Sequence, residues 1–193
     1  LRLLEFFQGY GFAHAPWRCL RGLGQSWSYT ATLRIHLKKK SYLVTGGTGF
    51  IGSALVKRLV HAGHTVRVLD NNFRGAAERL ADVAKDVELV VADIRDAEAV
   101  KNAAKGMESV IHLAYVNGTE FFYSKPELVL DIALRGMLSV IDACRANGIG
   151  VLVLASSSEV YQTPPNIPTA EDAPLIVPDV LNPRYSYGGG KLA

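Results

Sequence analysis

The 193-residue chain is predicted to be an α/β protein, a doubly wound parallel sheet with helices on both faces in a three-layer αβα arrangement. Three observations carry that expectation. Strand-length apolar runs alternate with helix-length amphipathic stretches from residue 41 to residue 155. Several of the runs, VLVLA at 151–155 among them, are near-continuously apolar, as strands are when helices cover both sides of the sheet. Four glycines fall in TGGTGFIG, residues 45–52, where the first strand gives way to the first helix.

The elements follow in order. Residues 42–45 form a short apolar strand. Residues 51–62 form a helix with Ile51, Leu55, Val56 and Leu59 on one face and Gly63 placed to cap it. TVRVL at 65–69 is the second strand, and residues 76–84 a short helix. The third strand is 87–91, followed by a helix over 96–105 and a fourth strand over 109–113. Residues 128–147 make a long helix, with Leu128, Ile132, Met137, Ile141 and Cys144 inward and Gly148 ending it; 151–155 is the fifth strand. Right-handed crossovers between such strands give the doubly wound sheet. Residues 162–184 hold six of the eight prolines and read as a loop, and loops of that length in compact domains are usually functional or mobile.

Hydrophobic content of 49% and charged content of 20% are those of an ordinary soluble globular protein, and no apolar run approaches the roughly 18 residues of a membrane span. Residues 1–40 carry seven Lys/Arg against one acid, whereas the remaining residues hold 14 bases and 17 acids. The basic balance therefore belongs to the leader and gives no support to nucleic-acid binding by the domain. The leader lacks a sustained period; its Arg-rich, acid-poor composition admits a transit peptide, but a disordered or non-native segment is the expectation. The domain is expected over 41–193. The chain opens on Leu1 and stops at Ala193, two residues beyond Lys191 and inside an expected helix, so a fragment lacking its C-terminal part is expected. Two unpaired-looking cysteines, Cys19 and Cys144, point to a reducing compartment, the cytoplasm. The five histidines show no metal-ligand spacing.

Glycine between a strand and a helix permits a tight turn and close backbone approach to a pyrophosphate, while the helix start, at Phe50 and Ile51, offers unpaired N–H groups and a positive dipole end. Two registers fit: Gly47, Gly49 and Gly52 spell G-x-G-x-x-G, and Gly46, Gly49 and Gly52 spell G-x-x-G-x-x-G. No Gly-Lys-Ser/Thr follows, which excludes a P-loop. Asp70 ends the second strand, 24 residues after Gly46. A carboxylate there would accept from adenosine ribose hydroxyls and repel a 2′-phosphate, favouring NAD over NADP; Arg74 keeps NADP open, and Asp-Asn-Asn is also a turn sequence. In YSYGGGK, residues 185–191, Tyr187 and Lys191 stand four apart and share a helix face, so the ammonium would favour the phenolate of a catalytic base. ASSSEVY, residues 155–161, leaves the fifth strand at the sheet end where ligands of such folds bind. Each pattern alone also has a purely structural explanation.

Together these stretches resemble the extended short-chain dehydrogenase/reductase family, in its NAD-dependent epimerase/dehydratase branch, which has a Rossmann-type fold. TGGTGFIG matches the family's glycine motif in the Gly46, Gly49, Gly52 register. DNNFRG resembles the segment after strand two (Asp70, Asn71, Arg74), and ADIRD its adenine-contacting pair (Asp93, Ile94). IHLAY resembles the motif after strand four (Leu113, Ala114, Tyr115). The resemblance covers 41–193 and implies a nucleotide-diphosphate sugar substrate. Tyr187 would take the proton of the sugar 4-hydroxyl as hydride leaves carbon 4, Lys191 would hold the nicotinamide ribose, and Ser157 would hydrogen-bond the same sugar oxygen. An epimerase is favoured; Glu159 stands where family dehydratases and decarboxylases keep a glutamate, and a non-catalytic NAD(P)-binding module is a further alternative. A homodimer through the long helix is implied by the same resemblance. Departures from the pattern are the run Gly188, Gly189 and Gly190, where members usually carry one glycine after the motif tyrosine, Ala133 in place of an asparagine, and Gln162 in place of a glycine.

Overall fold

A computed structural model of the chain describes residues 38–193, so the leader expectation, all but its last three residues, lies outside the described residues. Five strands form one parallel sheet in the order β3-β2-β1-β4-β5: β1 Ser41–Thr45, β2 Thr65–Asp70, β3 Val87–Val91, β4 Ser109–His112 and β5 Val151–Leu154. The strand order reverses between β1 and β4, which opens a crevice beyond their carboxyl ends.

The three layers can be read from side-chain alternation on single strands. On β1, Tyr42 and Val44 enter one apolar cluster with Val66, Val68 and Ile111, while Leu43 enters another with Leu69 and Val110. The first cluster is closed by Val56 of α1 (Phe50–His61) and by Leu80 and Val83 of a 3-10 segment, Ala77–Val83. The second is closed by α2 (Ala97–Ala103), α3 (Thr119–Ser124), α4 (Pro126–Ala146) and Tyr187 of α5 (Ser186–Leu192).

The helix stops expected at Gly63 and Gly148 are present. Both glycines have positive φ, 84° and 66°, and the residue after each donates back to the last helical turn: His64 to the Leu59 carbonyl at 3.1 Å and Ile149 to the Cys144 carbonyl at 2.9 Å. Asp96 caps α2 by accepting from the Ala99 N–H.

Several expectations are corrected. The short helix after β2 is 3-10 rather than α. A six-residue helix, α3, precedes the long one; it lies between Gly118 and Pro126, too short to show a period. The long helix starts at Pro126, where the missing N–H costs nothing. Its inward face is Val129, Ile132, Ala133, Gly136, Val140, Ala143 and Cys144, with Leu128, Met137 and Ile141 only half-buried. The face has rotated because small residues let the helix come close: a Cβ on Gly136 would stand 2.8 Å from Ile94 Cγ2. Ile51, expected inward on α1, is 70% exposed.

Leu43 is fully buried in the middle of the sheet. Leu43→Ala is expected to lower unfolding free energy by about 2–5 kcal/mol, measured by urea titration.

Candidate active site

The glycine turn is tight because backbone crosses backbone. Gly46 has φ 73°, its N–H donates to the Leu69 carbonyl at 2.9 Å, and a Cβ on it would lie 2.7 Å from the Ala114 nitrogen. A Cβ on Gly52 would overlap the Gly46 carbonyl oxygen. These contacts belong to the Gly46, Gly49, Gly52 register; Gly47 has a different task, seating the turn on Val68. No side chain caps α1, so its opening N–H groups, at Phe50 and Ile51, remain available to an anion. The Phe50 and Ile51 side chains stand in solvent, outside the cleft described next.

A cleft of about 220 Å³ lies beside the turn, lined by Gly46, Gly49, Asp70, Asn71, Arg74, Asp93, Ile94, Ala114 and Tyr115 among others. These cofactor-site candidates, drawn from four separate motifs, are brought to one place. Leu113 is not in the cleft; it packs into the core cluster on the α1 side. Asp70 is buried and fulfils its turn role: one oxygen accepts from Asn72 N–H at 2.8 Å, the other from Thr48 N–H at 3.0 Å. It thereby ties the end of β2 to the glycine turn. Arg74 lies over the Phe121 ring at 5.3 Å. The crowding at the glycines, the open helix start and the acidic groups at the cleft fit a dinucleotide.

The second constellation forms at the carboxyl ends of β4 and β5. Tyr187, 7% exposed, is stacked on Phe122 (ring centres 5.2 Å apart) and edge-on to Tyr115 (5.0 Å). The Lys191 ammonium donates to the Ala155 carbonyl at 2.7 Å and lies 4.0 Å over the Tyr115 ring and 6.0 Å from the Tyr187 ring centre. The shared helix face of Tyr187 and Lys191 is therefore present, with Tyr115 as the ring nearest the cation. Ser157 begins a 3-10 turn (Ser158–Val160) and its hydroxyl accepts from Glu159 N–H at 3.2 Å. Glu159 is engaged: its two oxygens meet Arg184 Nη2 at 3.1 and 3.0 Å. Arg184 also lies 5.3 Å over Phe122. Arg184 and Phe122 are site neighbours that the sequence reading missed. Both lie outside the motifs, and their roles arise only when α3 and the 183–185 turn meet.

The departures from the family pattern touch one another. Gln162 holds a φ of 50°, the conformation a glycine would adopt freely, and a Cβ on Gly188 would come within 2.7 Å of its amide nitrogen. A Cβ on Gly190 would lie 2.8 Å from Ala133 Cβ and strike the Tyr115 hydroxyl. Close packing thus requires two of the three consecutive glycines; Gly189 meets only Val177, at 3.7 Å.

The model of the NAD dependent epimerase/dehydratase family matches residues 42–193. The chain belongs to that family. It is similar to a UDP-glucose 4-epimerase of Mycolicibacterium smegmatis, 39% identical over 78% of this chain and 48% of that protein. A UDP-glucose 4-epimerase of Streptomyces lividans is 33% identical over 79% of this chain and 44% of the relative. Among solved structures, a UDP-glucose-4-epimerase from Stenotrophomonas maltophila with bound NAD and formylated UDP-arabinopyranose superposes with a TM-score of 0.71 at 28% identity, over 79% of this chain and 46% of that one. A dTDP-glucose 4,6-dehydratase from Streptomyces venezuelae with NAD gives 0.71 at 26% identity, over 79% and 48%. The chain spans about half the length of the curated relatives it matches. Among the described residues no helix is long and apolar enough to cross a membrane, and no cluster of His, Cys, Asp or Glu could hold a metal ion.

In this member of the family, burial sets the electrostatics behind Lys191. Desolvation lowers the Lys191 ammonium to about 8, and burial, reinforced by Lys191, lowers His112 to about 4. Burial, with Tyr187 beside it, raises Tyr115. His112 Nδ1 lies 2.7 Å from the Thr45 hydroxyl, which itself accepts from Ala114 N–H at 3.2 Å. As pH falls from about 6.5 to about 4 the unfolded chain takes up a proton that folded His112 refuses, so stability declines across that window. His112→Gln is expected to reduce the acid-side slope by up to about 1.4 kcal/mol per pH unit, measured by urea unfolding from pH 7 to 4.

Proposed function

We propose that the full-length protein is an NAD-dependent nucleotide-sugar 4-epimerase, acting by transient oxidation at sugar carbon 4. The observation that supports this is the shared α5 face of Tyr187 and Lys191, with the Lys191 ammonium on the Ala155 carbonyl just after β5 and both residues against the ring of Tyr115, which lines the cleft. Family membership and the named 4-epimerase relatives support it. The Tyr187 hydroxyl takes the proton of the sugar 4-hydroxyl and later returns it, and Ser157 hydrogen-bonds the same oxygen. Lys191 supplies the nearby positive charge and a donor for a ribose hydroxyl. Bound NAD supplies the hydride acceptor and donor. The opening N–H groups of α1 hold its pyrophosphate, while Asp70, a carboxylate at the end of β2, favours NAD over NADP.

Glu159 bears on which reaction follows. A dehydratase or decarboxylase would use it as an acid, yet both of its oxygens are engaged by Arg184. That favours epimerisation, in which no further acid is needed. The exposed leucines of α4, Leu130, Leu134 and Leu138, recur every fourth residue and support a homodimer through this helix. Cys144, free and buried, suits a reducing compartment, and the cytoplasm is proposed.

The test supplies the full-length protein with NAD and a panel of UDP-, GDP- and dTDP-sugars, with products followed by mass spectrometry and NMR. Tyr187→Phe is expected to lower turnover by about 10²–10⁴-fold with NAD still bound, and Glu159→Gln by less than about tenfold. Wild-type protein that binds NAD but turns over no sugar would return the chain to a non-catalytic NAD(P)-binding module. Loss of a dehydrated or decarboxylated product in Glu159→Gln would restore the lyase alternative.

A further inference from the structure

The ring of Tyr115 stands between the cofactor cleft and α5. Tyr115 lines the cleft of about 220 Å³ and also a second cavity, of about 300 Å³, that takes in His112, Ala133, Gly190 and Lys191. Lys191 lines the second cavity and not the first, so the ring separates the ammonium from the cleft. Room for the phenol comes from two of the departures from the family pattern. Ala133 is small, and a Cβ on Gly190 would strike the Tyr115 hydroxyl. Tyr187 stands edge-on to the same ring at 5.0 Å, and the Tyr115 hydroxyl donates to the Tyr187 carbonyl at 3.4 Å, a long bond.

A lysine ammonium has three N–H donors on a flexible stem, and here their occupancy is unequal. One donates to the Ala155 carbonyl at 2.7 Å, and the nitrogen lies 4.0 Å over the Tyr115 ring. The ring face is the negative side of the aromatic quadrupole and attracts the cation. That attraction counts because the ammonium is desolvated: burial lowers it to about 8, with no neighbouring carboxylate to offset the cost. Without the ring a single carbonyl would hold the whole side chain. Burial also raises the Tyr115 phenol, which stays protonated at neutral pH and offers its face rather than a charge.

We propose that Tyr115 is a positioning residue for the reaction: its ring face and the Ala155 carbonyl together fix the Lys191 ammonium beside Tyr187, with one N–H left for a ligand hydroxyl. The inference rests on the reading of Tyr187 and Lys191 as a catalytic pair. In this role Tyr115 takes part in neither proton nor hydride transfer and acts only through Lys191. A phenylalanine presents the same face and loses only the long bond to the Tyr187 carbonyl. A leucine is apolar but has no quadrupole, so the ammonium is free to swing about its remaining hydrogen bond and the pair loses its geometry.

The test measures kcat and KM of the full-length, NAD-loaded protein, using whichever sugar of the UDP-, GDP- and dTDP-panel the wild type turns over fastest. The variants are Tyr115→Phe, Tyr115→Leu, Lys191→Met, and Tyr115→Leu combined with Lys191→Met. Tyr115→Leu is expected to lower kcat about tenfold with KM changed less than about threefold, and Tyr115→Phe to recover most of that loss. In the Lys191→Met background Tyr115→Leu is expected to cost less than about twofold more, because the group it acts through is gone. A merely structural role would lower kcat by the same factor in both backgrounds. NMR of isotope-labelled lysine gives a second readout that needs no turnover. The Lys191 ε-methylene protons are expected upfield in the wild type and in Tyr115→Phe, shifted by the ring current of the face beneath them, and at their ordinary position in Tyr115→Leu. Thermal melting shows which variants are folded, and Tyr115→Met replaces Tyr115→Leu if that one is not. Equal losses in the two backgrounds, or an unshifted Lys191 in the wild type, overturn the role of Tyr115 and leave the activity standing. A wild type that turns over no sugar of the panel overturns the catalytic reading and this proposal with it.

Discussion

The approach of the Gly46 backbone to Ala114 is the constraint on which the site depends. At this point the chain leaving β1 passes within a Cβ radius of the chain leaving β4, and no side chain can stand between them. The same turn receives the start of α1, because the Gly46 carbonyl lies where a Gly52 side chain would be. It is closed from the other side by Asp70, whose carboxylate holds Thr48 N–H. Three strand ends, β1, β2 and β4, are thus drawn to one point by backbone contacts, and the cleft opens where they meet.

Around that point the structure alternates rigid polar anchors with stacked rings. Asp93 and Asp131 are tied through Arg95, and Glu159 is tied to Arg184. Arg184, Phe122, Tyr187, Tyr115 and Lys191 form a continuous series of cation–ring and ring–ring contacts from one side of α5 to the other. These half-exposed ion pairs add little to global stability, since screening and side-chain entropy offset most of the attraction. Their effect is orientational: each fixes the direction of a group that faces the cleft or α5.

The departures from the family pattern also make sense in space. Gln162 occupies a backbone conformation made for glycine, and Gly188 leaves room for its amide. Ala133 is small where the family carries an amide, and Gly190 approaches it closely. Gly188 and Gly190 weaken α5 as an isolated helix and allow it to seat against α4 and against the turn after β5. The intrinsic cost of glycine, about 1 kcal/mol for each in a helix interior, is exchanged for contact that larger residues would forbid.

Besides the cleft residues, most of which the family resemblance supplied, local pattern in the sequence was enough to determine the α/β class, the five strands and the two glycine helix stops. Each of these rests on interactions within a few residues or on a period that repeats along one element, so no distant partner is needed to see it. The inward face of α4 escaped, because Gly136 lets the helix rotate toward Ile94 and that neighbour is 42 positions away. That Asp70 ties the end of β2 to the glycine turn, one oxygen on Thr48 N–H and the other on Asn72 N–H, was decided only in three dimensions. The 3-10 segment and α3 are too short to carry a period. The pairing of Glu159 with Arg184, and the burial of Tyr187 between Phe122 and Tyr115, were decided only by the tertiary structure. They join loops that follow different strands, and which charge or ring meets which depends on how those strands are ordered in the sheet.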